Sequence, residues 1–299
     1  MTLFGSVAYQ VAEQDGDVEA PNYDANRWQA MLGAELALSP SSFAGLSVSL
    51  VGNDHAFEDL GGTDVDASGT VLGAYLGTDK GAGLYAKVLG SYGWYDMDAD
   101  RDIAINGFGG TAIGSSDLTQ WTLGAHLGYR AMLGERAAVT PYVHLDHVAT
   151  RMDGFSETGV AGASLTLADM DESRTYTTVG GRLAGDIGGV VAELDLGWRR
   201  LHGDDRTGFS AYLCDQSQCP FDVVSSAEER DSALLGLALG TKVGRADVQV
   251  AYQGLFDGAR TSHAGNVRLR LPLGSAPAPV IAPPPPPPAP PARHLRPRR

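Results

Sequence analysis

Arg27-Trp28-Gln29-Ala30-Met31-Leu32-Gly33-Ala34-Glu35-Leu36-Ala37-Leu38 is the stretch whose reading decides the fold. Trp28, Ala30, Leu32, Ala34, Leu36 and Leu38 take every second position, and Gln29, Met31, Gly33, Glu35 and Ala37 stand between them. A period of two puts successive side chains on opposite faces of an extended chain. One face of this segment is continuously apolar; the other is small or polar.

Outward from this stretch the same alternation returns. Leu123, Ala125, Leu127 and Tyr129 alternate with Thr122, Gly124, His126, Gly128 and Arg130. Val190, Ala192, Leu194, Leu196 and Trp198 alternate with Val191, Glu193, Asp195, Gly197 and Arg199, and Val267, Leu269, Leu271 and Leu273 with Arg268, Arg270 and Pro272. Such segments predict twelve strands, near 3–13, 26–38, 44–57, 65–78, 83–97, 116–132, 137–151, 173–187, 189–202, 229–243, 245–256 and 262–273. Several are long for a soluble sheet but suited to crossing a bilayer at a tilt.

The connections alternate in length. Those after the even-numbered segments are short, such as Asp79-Lys80-Gly81-Ala82, Leu133-Gly134-Glu135-Arg136 and the tight turns at Gly188 and Gly244. Those after segments one, three, five, seven and nine are long, polar and acidic. Short turns at one end and long loops at the other are the pattern of an outer-membrane barrel, and an even strand count puts both chain ends at the short-turn, periplasmic side. The expected fold is therefore all-β: a twelve-stranded antiparallel transmembrane up-and-down barrel over 1–274, with a disordered Pro-rich periplasmic tail over 275–299. A soluble sandwich or lipocalin-like barrel is the competing architecture. It would carry many charges on its polar face, whereas here that face mixes Gly, Ala, Ser and Thr with few charges. Trp28, Tyr92, Trp94, Tyr129, Trp198 and Tyr252 fall on the apolar register near strand ends, as interface-girdle aromatics do.

Composition agrees. The 299 residues include 39 Gly, close to twice the average usage of about 7%, and helix interiors disfavour Gly by about 1 kcal/mol each. The net charge of −14 argues against a nucleic-acid partner, which calls for a basic patch. Nothing at Met1-Thr2-Leu3-Phe4-Gly5 resembles a secretory signal, and no run approaches the roughly 20 apolar residues of a membrane helix. Cys214 and Cys219, in a polar stretch, are expected to close a local disulfide in an oxidising compartment; free thiols are the alternative. Six consecutive prolines at 283–288 favour an extended spacer, ahead of the basic end Arg293 to Arg299.

Strands about 4.8 Å apart and tilted about 40° give a twelve-strand barrel a backbone radius of roughly 12 Å. Inward side chains then leave a lumen on the order of 10–12 Å, about one helix diameter. The inward register contains Glu35, Lys87, His126, Arg130, His144, Asp146, Arg182, Asp186, Glu193, Asp195, Arg199 and Lys242. In a wet lumen these charges can pair with each other or with a plugging segment; in lipid at mid-bilayer each would cost about 2–4 kcal/mol.

Chemistry beyond this is not evident. No Ser and His are placed as a barrel hydrolase would need them, so no catalytic residues are assigned. His144 and His147 fall on opposite faces of one strand and cannot share a metal. Asp96-Met97-Asp98-Ala99-Asp100-Arg101-Asp102 begins like a calcium loop, but Arg101 replaces the required Gly and Gly107 stands where the final Glu belongs. No metal or cofactor is expected. Loop 203–228, with Phe209, Tyr212, Phe221 and both cysteines, reads as a disulfide-pinned loop, a recognition element or a lid over the pore.

Over residues 3–273 the chain resembles an autotransporter β-domain. The resemblance is carried by Arg27 to Pro40, by Gly90-Ser91-Tyr92-Gly93 leading into Asp98-Ala99-Asp100-Arg101, and by Leu123-Gly124-Ala125-His126-Leu127-Gly128-Tyr129. It continues through Thr140-Pro141-Tyr142 and Asp153-Gly154-Phe155-Ser156-Glu157-Thr158-Gly159 to Val179-Gly180-Gly181-Arg182. It implies a monomeric barrel in the Gram-negative outer membrane, in contact with lipid and lipopolysaccharide. It also implies insertion with the barrel-assembly machinery and export of an N-terminal passenger through or beside the lumen. The family usually places a plug helix before the first strand and an aromatic residue at the end of the last. Here neither passenger nor plug precedes Leu3, and the last strand ends Leu271-Pro272-Leu273. The expectation is a fragment, or a barrel that has lost its cargo; the alternative is a passenger-less porin-like or structural barrel tethered by its tail.

Overall fold

In the computed structural model, strands form where the two-residue alternation runs. The structure describes residues 1–16, 21–58, 62–105, 107–213, 220–225, 227–273 and 296–297. The strands are β1 (Thr2–Gln14), β2 (Tyr23–Ala37), β3 (Ser42–Phe57), β4 (Thr63–Asp79), β5 (Gly83–Ile105), β6 (Phe108–Met132), β7 (Ala137–Met152), β8 (Phe155–Ser156) and β9 (Thr166–Leu167). They continue with β10 (Met170–Ile187), β11 (Val190–His202), β12 (Gly208–Tyr212), β13 (Pro220–Val224), β14 (Asp231–Val243), β15 (Ala246–Phe256), β16 (Arg260–Pro272) and β17 (Arg296–Pro297).

Twelve of these, β1–β7, β10, β11 and β14–β16, close into one antiparallel barrel. Closure comes from β1 pairing with β16, in a register running from Thr2↔Pro272 to Gln14↔Arg260. Thr2 and Pro272 therefore sit together at the end where the hairpin turns are short. One of the two-residue turns, Gly188-Gly189, has φ of 67° and 89°. That backbone matches the twist of the flanking strands and suits Gly at both positions.

The outer face is a band of exposed apolar side chains, including Leu32 (69% exposed) and Leu46 (68%). A water-soluble surface does not carry so continuous an apolar belt. From Leu84 to Trp94, about ten residues of tilted strand rise on the order of 25 Å, the height of a barrel's lipid-facing band. Trp28, Trp94 and Trp121 end the belt toward the long loops, and Asp54, Asp66, Asp96 and Asp117 follow them on the same face. Among the girdle aromatics, Tyr92 and Trp198 also stand exposed, Tyr252 donates to or accepts from His263 Nδ1 at 2.7 Å on the outer face, and Tyr129 stands near the short-turn end.

Six inward aromatics explain much of the glycine. Phe4, Phe43, Tyr75, Tyr85, Tyr95 and Tyr142 each face a glycine partner across the ladder: Gly33, Gly77, Gly45, Gly128, Gly69 and Gly180. A Cβ on any of these glycines would stand 2.2–2.6 Å from the ring. The rings thus lie flat along the inner wall instead of filling the lumen.

Two features depart from the expected strands. β5 and β6 run to Ile105 and from Phe108, past the predicted ends at 97 and 116. Beyond the lipid band the faces reverse in character: Asp98, Asp100 and Asp102 point out to water while Met97, Ala99 and Ile103 are buried inside. Such a segment reads as an acidic loop in sequence. Second, the long connections build a separate sheet in the order β17-β13-β12-β9-β8. Its strands of two to five residues are too short to show a period. Of the tail, only Arg296 and Pro297 are described; they pair with Val224 and Val223 as β17.

Candidate functional site: the lumen and its mouth

The barrel interior has two zones. The first, nearer the short turns, is polar. Glu35 on β2 accepts from Tyr75 Oη (2.9 Å, β4) and from Arg270 Nη2 (2.7 Å, β16). Arg130 on β6 holds Asp79 with both terminal nitrogens (3.0 and 3.1 Å) and donates to Gly81 O at 3.1 Å. Arg182 on β10 donates to Asp195 Oδ2 through Nη2 (2.8 Å) and Nε (3.2 Å), while Tyr142 Oη donates to Asp195 Oδ1 at 2.6 Å. Glu193 lies 3.8 Å from Arg182 Nε and accepts from Gln249 at 3.5 Å. His126 Nε2 is 3.0 Å from Asp146 Oδ1, and its ring stacks on His144 at 3.9 Å, which stacks on Tyr142 at 4.4 Å. Paired in this way, buried charges avoid being left without a counter-charge.

Lys87 and Arg268 differ. Among the described residues neither has a carboxylate within ion-pair distance.

Of the residues expected to line the lumen, Glu35, Lys87, His126, Arg130, His144, Asp146, Arg182, Glu193, Asp195 and Arg199 take part in this interior network or in the mouth above it. Asp186 and Lys242 keep the inward register but stand exposed at the short-turn rim. There Asp186 accepts from Gly189 N at 3.0 Å, and Lys242 lies 3.9 Å from Asp247. His147 points outward against Trp121 at 4.9 Å, opposite in face to His144. Among the described residues no cluster of His, Cys, Asp or Glu is arranged to hold a metal. Cys214 and Cys219 lie outside the described residues.

The second zone, toward the long loops, is apolar. Tyr23, Val51, Phe57, Val65, Tyr95, Met97, Leu118, Met152 and Met170 are buried on the inner wall. They share one core with Ala211 and Val223 of the loop sheet, and Phe155, Leu167 and Phe221 pack against it. The loop sheet therefore sits in the barrel mouth as a cap.

Its root is held by charge. Glu228, 3% exposed, pairs with Arg174 of β10 and lies 3.2 Å from Arg260 Nη2 of β16. Between those strands in the wall stand β11, β14 and β15. Tyr176 Oη donates to Glu228 at 3.3 Å, and the Arg199 guanidinium lies over the Tyr176 ring at 3.7 Å.

Arg174, Glu228, Arg260 and Arg268 were not among the expected lumen residues. Arg268 was readable, since it alternates with Val267 and Leu269. Glu228 was not, because it lies in a loop where no period indicates a direction.

Compared with known proteins, residues 3–253 match the family described as Autotransporter beta-domain. The translocator domain of autotransporter NalP from Neisseria meningitidis is similar in fold, with a TM-score of 0.75 at 16% identity, covering 91% of this chain and 88% of that one. The transport unit of AIDA-I from Escherichia coli gives 0.65 at 11% identity, with 91% of each chain covered. The β-domain of the Bordetella autotransporter BrkA gives 0.58 at 15%, covering 91% and 99%. No curated protein sequence matches the chain.

Proposed function

Because this chain belongs to the autotransporter β-domain family, we propose that it is an outer-membrane translocator that supports export of an N-terminal passenger to the cell surface. The observation that carries the reading is the closed twelve-strand barrel with an apolar outer band and a polar, charge-lined lumen. An extended polar chain can pass such a lumen without dehydrating its peptide groups, which lipid would penalise by several kcal/mol each. The barrel sits in the outer membrane of a Gram-negative cell as a monomer, inserted with the barrel-assembly machinery and in contact with lipopolysaccharide. Both ends of the barrel chain face the periplasm, since Thr2 and Pro272 meet at the short-turn end. The role needs no catalytic residue; the work is positioning and passage.

A second reading, a porin-like or structural barrel without cargo, draws on the capped mouth, which closes the lumen with the barrel's own loops. One experiment separates the two. A signal peptide and an unfolded epitope-tagged reporter are fused ahead of Met1, and intact cells are treated with protease. Removal of the epitope from outside, with the barrel in its heat-modifiable form, is the expected result. An epitope that stays protected while the barrel is folded overturns the export reading and leaves the self-contained barrel.

A further inference from the structure

We propose that Tyr85, Lys87, His126 and His144 form an oxyanion-binding site on the inner wall of β5, β6 and β7, suited to a carboxylate or a phosphate group. This holds for either reading of the barrel's cargo.

The site begins as one row of the ladder. Lys87 of β5 stands opposite His126 of β6, and His126 opposite His144 of β7, all on the inward register. Direct partners in a ladder have Cβ atoms about 4.5–5.5 Å apart, so the three side chains leave the wall side by side. Tyr85 lies on the same face two residues before Lys87, and its partner Gly128 leaves room for its ring over β6. The two imidazoles are fixed by stacking, His126 on His144 at 3.9 Å and His144 on Tyr142 at 4.4 Å.

The row has donors and no free acceptor. Tyr85 and His126 are each only 3% exposed, yet Tyr85 Oη and His126 Nδ1 have no hydrogen-bond partner among the described residues, nor has His144 Nε2. Lys87 has no carboxylate within ion-pair distance among them either. Buried polar groups are as a rule hydrogen-bonded, because an unmet one loses its hydration without compensation. The carboxylates of this part of the wall are engaged already. Asp146 is held by His126 Nε2 at 3.0 Å, Asp79 by Arg130, and Asp195 by Arg182 and Tyr142.

The chemistry of the unused atoms selects the ligand. Lys87 Nζ and the Tyr85 hydroxyl donate as they stand, and a neutral His144 can carry its proton on Nε2. Since an ionised Asp146 only accepts, His126 Nε2 bears a proton, and Nδ1 becomes a fourth donor when the ring takes up a second one. An oxyanion supplies several acceptor oxygens at once, and its charge offsets that of Lys87. A metal cation would be repelled by the same ammonium group. Lys87 is only half-buried, and its flexible side chain can turn to admit the ligand.

The test exploits the scarcity of lysine. The chain has Lys80, Lys87 and Lys242 alone, and Lys80 and Lys242 stand exposed at the short-turn end. Full-length protein refolded in detergent is methylated with isotope-labelled formaldehyde, which keeps the charge of each lysine, and the lysine signals in the NMR spectrum are assigned with Lys87→Met and Lys242→Met. It is titrated at constant pH and ionic strength with inorganic phosphate, and separately with a glutamate residue blocked at both ends, its blocked glutamine counterpart serving as the uncharged control. The Lys87 signal is expected to shift saturably with at least one anion, while Lys80 and Lys242 stay in place and the glutamine compound moves none of them. Tighter binding of phosphate assigns the site to a solute anion; tighter binding of blocked glutamate assigns it to an acidic side chain of a segment within the lumen. Tyr85→Phe, which keeps the ring, should weaken binding by about tenfold, as the loss of a hydrogen bond to a charged group does. Without ligand it should leave the barrel no less stable, since the hydroxyl it removes has no partner. No saturable Lys87 shift with either anion, an equal response of all three lysines, or unchanged affinity in Tyr85→Phe would overturn the site.

Discussion

In the zone nearer the short turns, inward groups answer one another through charge: Arg182 with Asp195, Arg130 with Asp79, Arg270 with Glu35. At the mouth, Met152, Met170 and Val223 are buried against one another with no polar atom to satisfy. The two zones line the interior by different means. Side chains of the wall strands make the first zone, so it is part of the barrel's own cooperative structure. Wall strands and loops together make the second, with Ala211 and Val223 of the loop sheet packed among inward side chains of the strands. The contrast teaches that ion pairs between wall strands hold one end of the interior, and apolar contact between wall and loops holds the other.

The largest effect expected is in the zone nearer the short turns. Asp195→Leu removes the acceptor of both Arg182 and Tyr142 and leaves a buried guanidinium with only Glu193 at 3.8 Å. A loss of about 3 kcal/mol follows, read as a lower urea midpoint for the heat-shifting species. An unmoved midpoint would mean that the lumen solvates Arg182 as well as Asp195 does. Next comes the mouth. Met170→Ala opens a cavity in the apolar core and should weaken the cap by about 2–3 kcal/mol, seen as faster protease nicking of the loops with little change in the barrel midpoint. If the barrel midpoint falls as well, the two zones form one unit and the contrast fails.

Gly180→Ala is expected to act on the wall by about 1–3 kcal/mol, because its new Cβ would meet Tyr142 Oη at 2.4 Å. Combined with Tyr142→Ala, it should cost less than the two separate losses added together. An additive result would remove the ring as the cause. The smallest effect lies outside. Asp66 faces Asp54 and Asp98 directly across the ladder. Asp66→Ser should therefore stabilise by roughly 0.2–1 kcal/mol, less at high salt. A loss at low salt would show that the outer carboxylates are not repelling one another.

The strands were legible because their cause is local. Alternation between Leu32 and Gly33, or Leu127 and His126, records which neighbour meets lipid and which meets the lumen, and that record survives in one segment read alone. Where the outer face meets water instead, as at Asp98 and Asp100, the same alternation reads as a polar loop, and the ends of β5 and β6 were missed for that reason. The inward residues followed from parity, but parity carries no height: Asp186 and Lys242 share the inward register of Arg182 and Leu234 yet stand at the rim.

By itself, then, the sequence determined the number of wall strands, the face each presents to lipid, and the end at which the turns are short, since these depend on neighbours one and two positions apart. Only the tertiary structure decided which charges pair, as Glu35 with Arg270 across 235 residues of chain. It alone seated a loop carboxylate between two arginines on strands far apart in the wall. Closing the sheet sets those meetings through the register of β1 on β16, and no local pattern records that register.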